Sequence, residues 1–442
     1  MKKVLIVTYY FPPSGGPGVQ RVLKFVKYLP QFGWEPIVLT VADADYPARD
    51  ESLLNEIPPG TKVHRTKIFE PYRLYRKLTR KRAGVPVDVE NITLSGAPRS
   101  LLERIAGLIR ETFFIPDARI GWFPYAVPAG LEIIKQEKVD AIYSSSPPYT
   151  AAVVARELAR RTRLPWIAGF RDPWIGFISS PDRWIFPKAI DRFLERSVYK
   201  SANLVEGAWR GIVQDFQAKY PEEGKFKAVH LPNGYDRDDY IDAPRKRNSR
   251  FTVTYTGSMY GRRNPKSFLQ AVGELIVEGR LDPQKFVLKF YGRFGSEVQE
   301  MIAAFPHQEA VEVKTYIPHG ESIRALLDAD ALLLIVDESK ESSEIVPGKV
   351  FEYIGAGRPI LALAAEGAVA EILRETHTGS VAGNQDIPAI KRMVLECYDN
   401  FLYNKSAYKP NETATKKYER REVTRRLAEL LDYLYQLRQQ HL

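Results

Sequence analysis
The amino-acid sequence predicts an α/β protein of two Rossmann-like domains, each built on a parallel sheet covered on both faces. Apolar runs of strand length alternate with helical stretches of about ten to fifteen residues, the signature of parallel strands joined by crossover helices. The series runs once, breaks and starts again. The break falls in LPNGYDRDDYIDAPRKRNSR, residues 231–250, which is polar, carries Pro and Gly and has no hydrophobic period. A chain of 442 residues also exceeds what one ordinary core organises. The expected domains are 1–232 and 245–420.

In the first series VLIVTYY is a strand, a helix follows over 19–29, and EPIVLTV is the next strand. DAIYSSS, the helix TAAVVARELARRT and the strand PWIAGF come later, then ANLVEGA and KAVHLPNG as short strands. The second series opens at FTVTYTG, continues through a helix over 265–277, and adds KFVLKFYG, VEVKTYI, DALLLIV and PILALAA. Within EIVPGKVFEYIGAGRPIL, residues 344–361, a helix is expected from Pro347 to Gly355 or Gly357, burying Val350, Phe351 and Ile354. Glu344 then sits in the loop before the helix and Glu352 in its first turns. The tail YERREVTRRLAELLDYLYQLRQQ is a long amphipathic helix that needs a surface for its apolar face.

Composition restricts the function classes. Hydrophobic content of 44% and charged content of 27% are those of a soluble globular protein. The start, MKKVLIVTYYFPP, imitates a signal peptide, but its apolar run ends at two prolines without a small-residue cleavage site, so it reads as a buried strand. No other apolar run approaches the roughly 20 residues of a membrane-spanning helix. The single cysteine, Cys397, allows no internal disulfide and suits a reducing cytoplasm. Cysteine-clustered zinc is excluded as well, and the six histidines lack ligand spacing. The DAD triplets at 43–45 and 328–330 have no accompanying His or carboxylate cluster, so no metal site is expected there. A net charge of +10 would suit a nucleic-acid binder, but no stacking-aromatic module or recognition motif accompanies it, and no nucleic-acid partner is expected. The charge is concentrated instead: YRLYRKLTRKR, residues 72–82, holds six basic residues and no acid.

In open parallel sheets ligands bind beyond the carboxyl ends of the strands, so the loops there hold the candidate residues. FPPSGGPGVQR follows the first strand and opens a helix. Gly15, Gly16 and Gly18 give a backbone able to approach a phosphate at a helix N-terminus, although G-G-P-G is not the dinucleotide fingerprint. After TVTYTG, Gly257 leads into SMYGRRNPK, where Arg262, Arg263 and Lys266 stand before a helix as a pyrophosphate clamp or as a solvated basic turn. The third loop carries Gly348 and Lys349 between Glu344 and Glu352. Carboxylates in that place serve either a ligand or the helix dipole.

These residues carry a resemblance. The Gly-rich loop after strand one, together with E-x7-E in the second half, resembles the family 4 retaining glycosyltransferases of the GT-B fold, whose two Rossmann-like domains face each other across a cleft. EIVPGKVFEYIGAGRPIL resembles that family's donor-site helix. GGPGVQR, FFIPDARIGW, GFRDPW and LPNGYD resemble a bacterial subgroup that assembles polysaccharide or lipopolysaccharide. The likeness covers nearly the whole chain.

The resemblance implies retaining transfer of a sugar from a nucleoside-diphosphate sugar to a glycan or lipid-linked acceptor in cell-envelope polysaccharide biosynthesis. It implies no cofactor and no metal, because fixed cations and helix N-termini stabilise the departing charge. Glu344 would face the donor sugar's hydroxyls and Glu352 the ribose hydroxyls of the nucleotide. Lys349 and Arg263 would neutralise the leaving diphosphate, helped by Arg262 and Lys266, with Gly257 and Gly348 lining the same loops. Backbone at Gly15, Gly16 and Gly18 would approach from the first domain, and a terminal helix over 421–442 would cross back to that domain. In GFRDPW, Asp172 would contact the acceptor or support catalysis, or else partner Arg171. Two features depart from the family: Ser258 stands where relatives often carry arginine, and the histidine that many relatives place near the sugar has no counterpart in a matching loop. Two other readings stay open. One is a non-catalytic nucleotide-binding protein of the same fold. The other, a nucleotide-sugar-modifying Rossmann enzyme, would need Tyr-x-x-x-Lys, and none of the 24 tyrosines has lysine four places on. The basic segment 71–82 lies in the first, acceptor-side domain. It suits either the anionic surface of the inner membrane, making the protein cytoplasmic and peripheral, or a solvated charged face.

Overall fold
A computed structural model describes residues 1–42, 46, 49–69, 112, 114–176, 183–224, 226–240, 248–315, 317–337, 346–405 and 408–440. Glu344, the basic segment 71–82 and the triplet at 43–45 lie outside the described residues. The chain forms two units, Met1–Pro232 with Val423–Leu442, and Asn233–Glu422.

The first unit holds a parallel sheet of β1 (Lys2–Thr8), β2 (Trp34–Val41), β3 (Lys62–Thr66), β4 (Ala141–Ser146), β5 (Trp166–Phe170), β6 (Leu204–Gly207) and β7 (Ala228–His230), in the order β3-β2-β1-β4-β5-β6-β7. The second holds β8 (Phe251–Thr256), β9 (Phe286–Tyr291), β10 (Val311–Lys314), β11 (Ala331–Ile335), β12 (Ile360–Leu363) and β13 (Gly379–Ala382), in the order β10-β9-β8-β11-β12-β13. Both run outward in opposite directions from their first strand, which is the doubly wound arrangement expected of the sequence. The switch points, where ligands bind in such sheets, lie between β1 and β4 and between β8 and β11.

The sheets are apolar on both faces, as crossover helices require. In β11, Ala331, Leu333 and Ile335 join one core cluster while Leu332 and Leu334 join the other, the two-residue period of a strand with helices on each side. Two strands escape the sequence reading, β3 and β13. KVHRT and GSVA are short edge strands with too few apolar residues to stand out.

The last helix, Arg420–Gln440, belongs from Val423 onward to the first unit. Val423, Leu427, Ala428, Leu431 and Leu434 recur at helical spacing and are buried in one cluster with Val4, Ile6, Phe11 and Val22. Asp432 fixes its register by accepting from Trp34 Nε1 at 2.7 Å and pairing with Lys2. Leu431→Ala should therefore open a cavity under β1 and lower the stability of the first unit by about 2–5 kcal/mol. Urea unfolding followed by tryptophan fluorescence measures it, since Trp34, Trp122, Trp166, Trp174 and Trp209 are buried reporters in this unit. An unchanged midpoint would mean that the helix is not part of that core.

Candidate functional site
In the second unit the helix Gly348–Ala356 follows β11. Its sequence sets its limits: Pro347, with φ −60° and ψ 142°, stands at the N-cap, and Gly357, in the left-handed region at φ 63°, ends it. Val350, Tyr353 and Ile354 are buried against the sheet. The first turn has backbone N–H groups with no partner inside the helix, and its dipole favours an anion there. Lys349 stands in that turn. Its Nζ donates to Tyr255 Oη at 2.7 Å and lies 4.2 Å from the centre of the Tyr255 ring, while Tyr255 Oη donates to the Ser258 carbonyl at 2.8 Å.

The lysine reaches this place because residue 257 has no side chain. Gly257 follows β8 with φ 105°, and a Cβ built there would lie 2.4 Å from Lys349 Cε and 2.5 Å from Nζ. Its backbone also packs against Gly292, whose own Cβ would meet the Gly257 carbonyl oxygen at 2.0 Å. Loop 257–264 is braced further by Met259 N to the Arg293 carbonyl, 3.0 Å, and Gly261 N to Glu297 Oε1, 2.8 Å.

The structure sorts the three basic residues of that loop. Arg262 and Lys266 are exposed. Arg263 is half-buried, its Nε has no hydrogen-bond partner among the described residues, and its charge acts on Lys349. Burial and, after it, the Arg263 cation push the Lys349 ammonium down to about 7, against the opposing pull of Glu352. Two cations thus converge on a helix N-terminus with only one partial counter-charge. That is an electrostatically unfinished site for a small anion.

Glu352 lies farther along the same helix, half-buried, with its pKa raised by burial against the opposing pull of His319, Lys349 and Arg420. Its backbone carbonyl accepts from Tyr240 Oη at 2.9 Å, and Tyr240 also packs on Gly355, where a Cβ would be 2.7 Å from the ring. His319 Nε2 lies 3.9 Å from Asp239 Oδ2. His319, Asp239, Arg420, Tyr240 and Tyr255 were not singled out in sequence, because they come from four separate elements and form no motif. Asp330, in the second DAD triplet, is committed structurally: its Oδ2 accepts from Thr252 N at 3.0 Å and Asn248 Nδ2 at 2.9 Å. Among the described residues no group of three His, Cys, Asp or Glu could hold a metal ion.

In the first unit, Gly16 caps the helix Pro17–Tyr28 at φ 101° with open space around it, and Gly15 precedes it. Gly18 has a different neighbour: a Cβ there would lie 1.5 Å from Arg171 Nη1. Its smallness makes room for that guanidinium. Arg171 donates from Nε to the Ser146 carbonyl at 3.4 Å and from Nη2 to the Pro147 carbonyl. Among the described residues Asp172 makes no ion pair with it, although the guanidinium's charge acts on the carboxyl. The Asp172 carboxyl is half-buried, its pKa raised by burial and lowered only in part by Arg171, and it accepts no hydrogen bond among the described residues.

The Lys349 environment is directly measurable. Heteronuclear NMR of the lysine side chains should find one Nζ titrating near 7, and Arg263→Ala should raise that midpoint by removing a like charge. A Lys349 that titrates in the ordinary lysine range would show that the two cations do not share a site.

No curated protein matches the chain by sequence. Several solved structures share its fold along nearly the whole length. Anabaena HepE, solved with UDP and glucose, is 14% identical, with 98% of this chain and 100% of that one covered and a TM-score of 0.59. Sucrose-phosphate synthase from Thermosynechococcus elongatus is 11% identical over 99% of this chain and 100% of that one, at 0.60. WaaG, a glycosyltransferase involved in lipopolysaccharide biosynthesis, is 13% identical over 98% and 99%, at 0.54. At such identities these likenesses speak for the fold. The family models add the chemistry: residues 15–234 match the glycosyl transferase 4-like domain, and residues 250–400 match the glycosyl transferases group 1. Between them the two matches span most of both units, and the chain belongs to the family 4 glycosyltransferases with the two-domain GT-B fold.

Proposed function
We propose that the protein is a retaining glycosyltransferase that takes a sugar from a nucleoside-diphosphate sugar without a metal ion and passes it to a glycan or lipid-linked acceptor of the cell envelope. The observation that carries this reading is the Lys349 ammonium lodged against Gly257 at the head of the Gly348–Ala356 helix, with Arg263 beside it. A diphosphate placed there supplies the missing negative charge. Glu352 is assigned to the ribose hydroxyls, which a carboxylate holds by accepting two hydrogen bonds. Arg262, exposed on the same loop as Arg263, and Lys266, exposed at the start of the helix that follows it, are assigned a long-range attraction for the donor. The complexes of HepE with UDP and glucose support the donor class, and the role of WaaG in lipopolysaccharide biosynthesis supports the envelope assignment. The basic segment 71–82 suits an acceptor held at an anionic membrane.

In the proposed step the bond between the sugar's C1 and the diphosphate oxygen breaks while the acceptor oxygen bonds C1 on the same face. The acceptor's proton passes to the departing diphosphate oxygen. Lys349 and Arg263 stabilise the charge that develops on that oxygen. Glu344 is assigned to the sugar hydroxyls, the backbone at Gly15 and Gly16 to the phosphates, and Asp172 to the acceptor.

Calorimetric titration with UDP and GDP should show binding of one of them without added metal. Glu352→Ala should weaken it by about 1.5–3 kcal/mol through lost charge-assisted hydrogen bonds. Full affinity in that variant would remove Glu352 from the site.

Affinity should also depend on pH in one direction. In the free protein Lys349 is protonated below about 7. A bound diphosphate favours its charged form, so binding above that pH takes up a proton and weakens as pH rises. Titration between about pH 7.5 and 9, above the second phosphate ionisation near ~6, in buffers of different ionisation enthalpy, should reveal the uptake. Lys349→Arg should abolish it, because arginine stays charged. A flat profile in the unaltered protein would contradict the assignment of Lys349 to the phosphates.

Product NMR settles the stereochemistry. The new linkage should keep the donor's anomeric configuration, and Glu344→Gln should lower turnover more than nucleotide affinity. An inverted product would overturn the same-face route.

A further inference from the structure
One helix of the first unit turns its charges the opposite way from an ordinary surface helix. Ile185–Ser201 carries two carboxylates, and both are buried. Asp191 pairs with Arg183 at 3.1 Å and accepts from Trp174 Nε1 at 2.8 Å. Glu195 accepts from Tyr220 Oη at 2.7 Å and from Lys219 Nζ at 3.3 Å. What faces water is aromatic and cationic. Ile185 is 87%, Phe186 60% and Phe193 69% exposed, and Trp184, just before the helix, is 51% exposed.

Lys188 and Arg192 are exposed in the same stretch and make no ion pair among the described residues. Farther along, Arg196 pairs with Glu222 at 2.8 Å and Lys200 lies 3.9 Å from Glu223, so the uncompensated charge is confined to the N-terminal half. The aromatic end is ordered by its own contacts. Trp184 Nε1 donates to Thr112 Oγ1 at 3.1 Å, its ring centre is 6.0 Å from that of Phe186, and Arg183 donates to the carbonyls of Phe114 and Pro116. Single exposed apolar residues are ordinary on a protein surface. Four large ones between residues 184 and 193, set among unpaired cations and with both acids of the helix turned inward, mark an interaction surface.

We propose that this face docks on an anionic phospholipid bilayer, with Trp184, Ile185, Phe186 and Phe193 entering the headgroup region and Lys188 and Arg192 meeting lipid phosphates. The charge selects the partner, since cations without acids complement a dense field of negative headgroups. The aromatic content fits as well, because Trp and Phe beside Lys and Arg are the composition of interfacial helices. Side chains standing this far out of the surface suit a fluid medium that closes around them. The surface adds a second contact to the proposed placement of the acceptor-side domain at a membrane, but it does not depend on the donor site. Vesicle contact and nucleotide binding are read separately below, so either fails without the other.

Five of the six tryptophans are buried, which makes Trp184 the one that lipid can reach. The full-length protein is mixed with phosphatidylglycerol–phosphatidylcholine vesicles whose acyl chains carry bromine, a short-range quencher. The exposed part of the tryptophan emission should shift to the blue and be quenched, and Trp184→Phe should remove that quenching while leaving flotation in place. Lys188→Gln with Arg192→Gln should lower partitioning by about 20- to 30-fold, from roughly 1 kcal/mol per cation. Phe186→Ser with Phe193→Ser should lower it by a similar order, and neither pair should change thermal stability or nucleotide affinity. Replacing Arg76, Lys77, Arg80 and Lys81 by Gln should leave the Trp184 signal on vesicles intact. Absence of quenching by brominated lipid overturns the proposal, as does undiminished flotation of the Phe186→Ser, Phe193→Ser variant. Sedimentation showing that this variant abolishes a self-association, with no vesicle binding by the unaltered protein, would assign the face to a second copy instead.

Discussion

The Lys349 ammonium lies where residue 257 has no side chain, and the chemistry of the second unit depends on that contact. A β-carbon at 257 would overlap the end of the lysine and would sit on a backbone at φ 105°, which side chains disfavour. The glycine thus does two things at once. It turns the chain out of β8, and it leaves the central crevice of the sheet open to a cation carried by the next switch-point element. The cation is then left incompletely compensated: a tyrosine hydroxyl and ring hold it, Arg263 repels it and Glu352 attracts it only at a distance. Part-buried charge of this kind is costly without an anion, and the cost is removed when an anion arrives.

The first unit shows what a completed charge looks like. Arg21 and Glu206 are fully buried and paired, Tyr143 Oη donates to Glu206 at 3.0 Å, and Arg21 donates to the carbonyls of Leu231 and Pro232 at 2.8 Å each. Gly169 makes room, since a Cβ there would be 2.5 Å from Tyr143 Oη and 2.7 Å from Glu206. This network ties GGPGVQR to LPNGYD, two stretches that stand out in the sequence together with the candidate phosphate loop. Part of what marks those motifs is therefore architecture: removing either partner would strand a buried charge, while in the intact pair each charge is compensated by the other. Chemistry in this protein lies with the charges left open.

The legible part of the fold was the part whose signal is local. Two-faced apolar strands such as ALLLI, and a helix bracketed by Pro347 and Gly357, follow from neighbouring residues alone. β3 and β13 were not legible, because an edge strand buries little and KVHRT and GSVA carry no run of apolar residues. At the site, residue types were legible and directions were not. Arg262 and Arg263 are adjacent in sequence, yet one is exposed and the other bears on Lys349, a difference set by how the loop after Gly257 is braced. Gly18 reads as a phosphate-loop glycine until Arg171, far along the chain, is seen lying against it. The surroundings of Glu352 were invisible for the same reason: His319, Asp239 and Arg420 come together only through the fold.

Each unit presents the same architectural opportunity and treats it with opposite charge. In both, the first strand of the sheet ends in a glycine-bearing turn beside the switch point. In the second unit that crevice gathers Lys349 and Arg263 at a helix N-terminus. In the first, the nearby cation is spent on backbone: Arg171 is directed at the carbonyls of Ser146 and Pro147, and the Asp172 carboxyl accepts no hydrogen bond among the described residues, its proton held more tightly by burial. A crevice with surplus positive charge suits a leaving diphosphate. A crevice with a desolvated carboxyl suits a hydroxyl, to which a carboxylate offers a hydrogen-bond acceptor. Under the proposed function, one sheet topology used twice would accommodate a donor that departs as an anion and an acceptor that arrives neutral, the distinction resting on which buried charges each unit compensates internally.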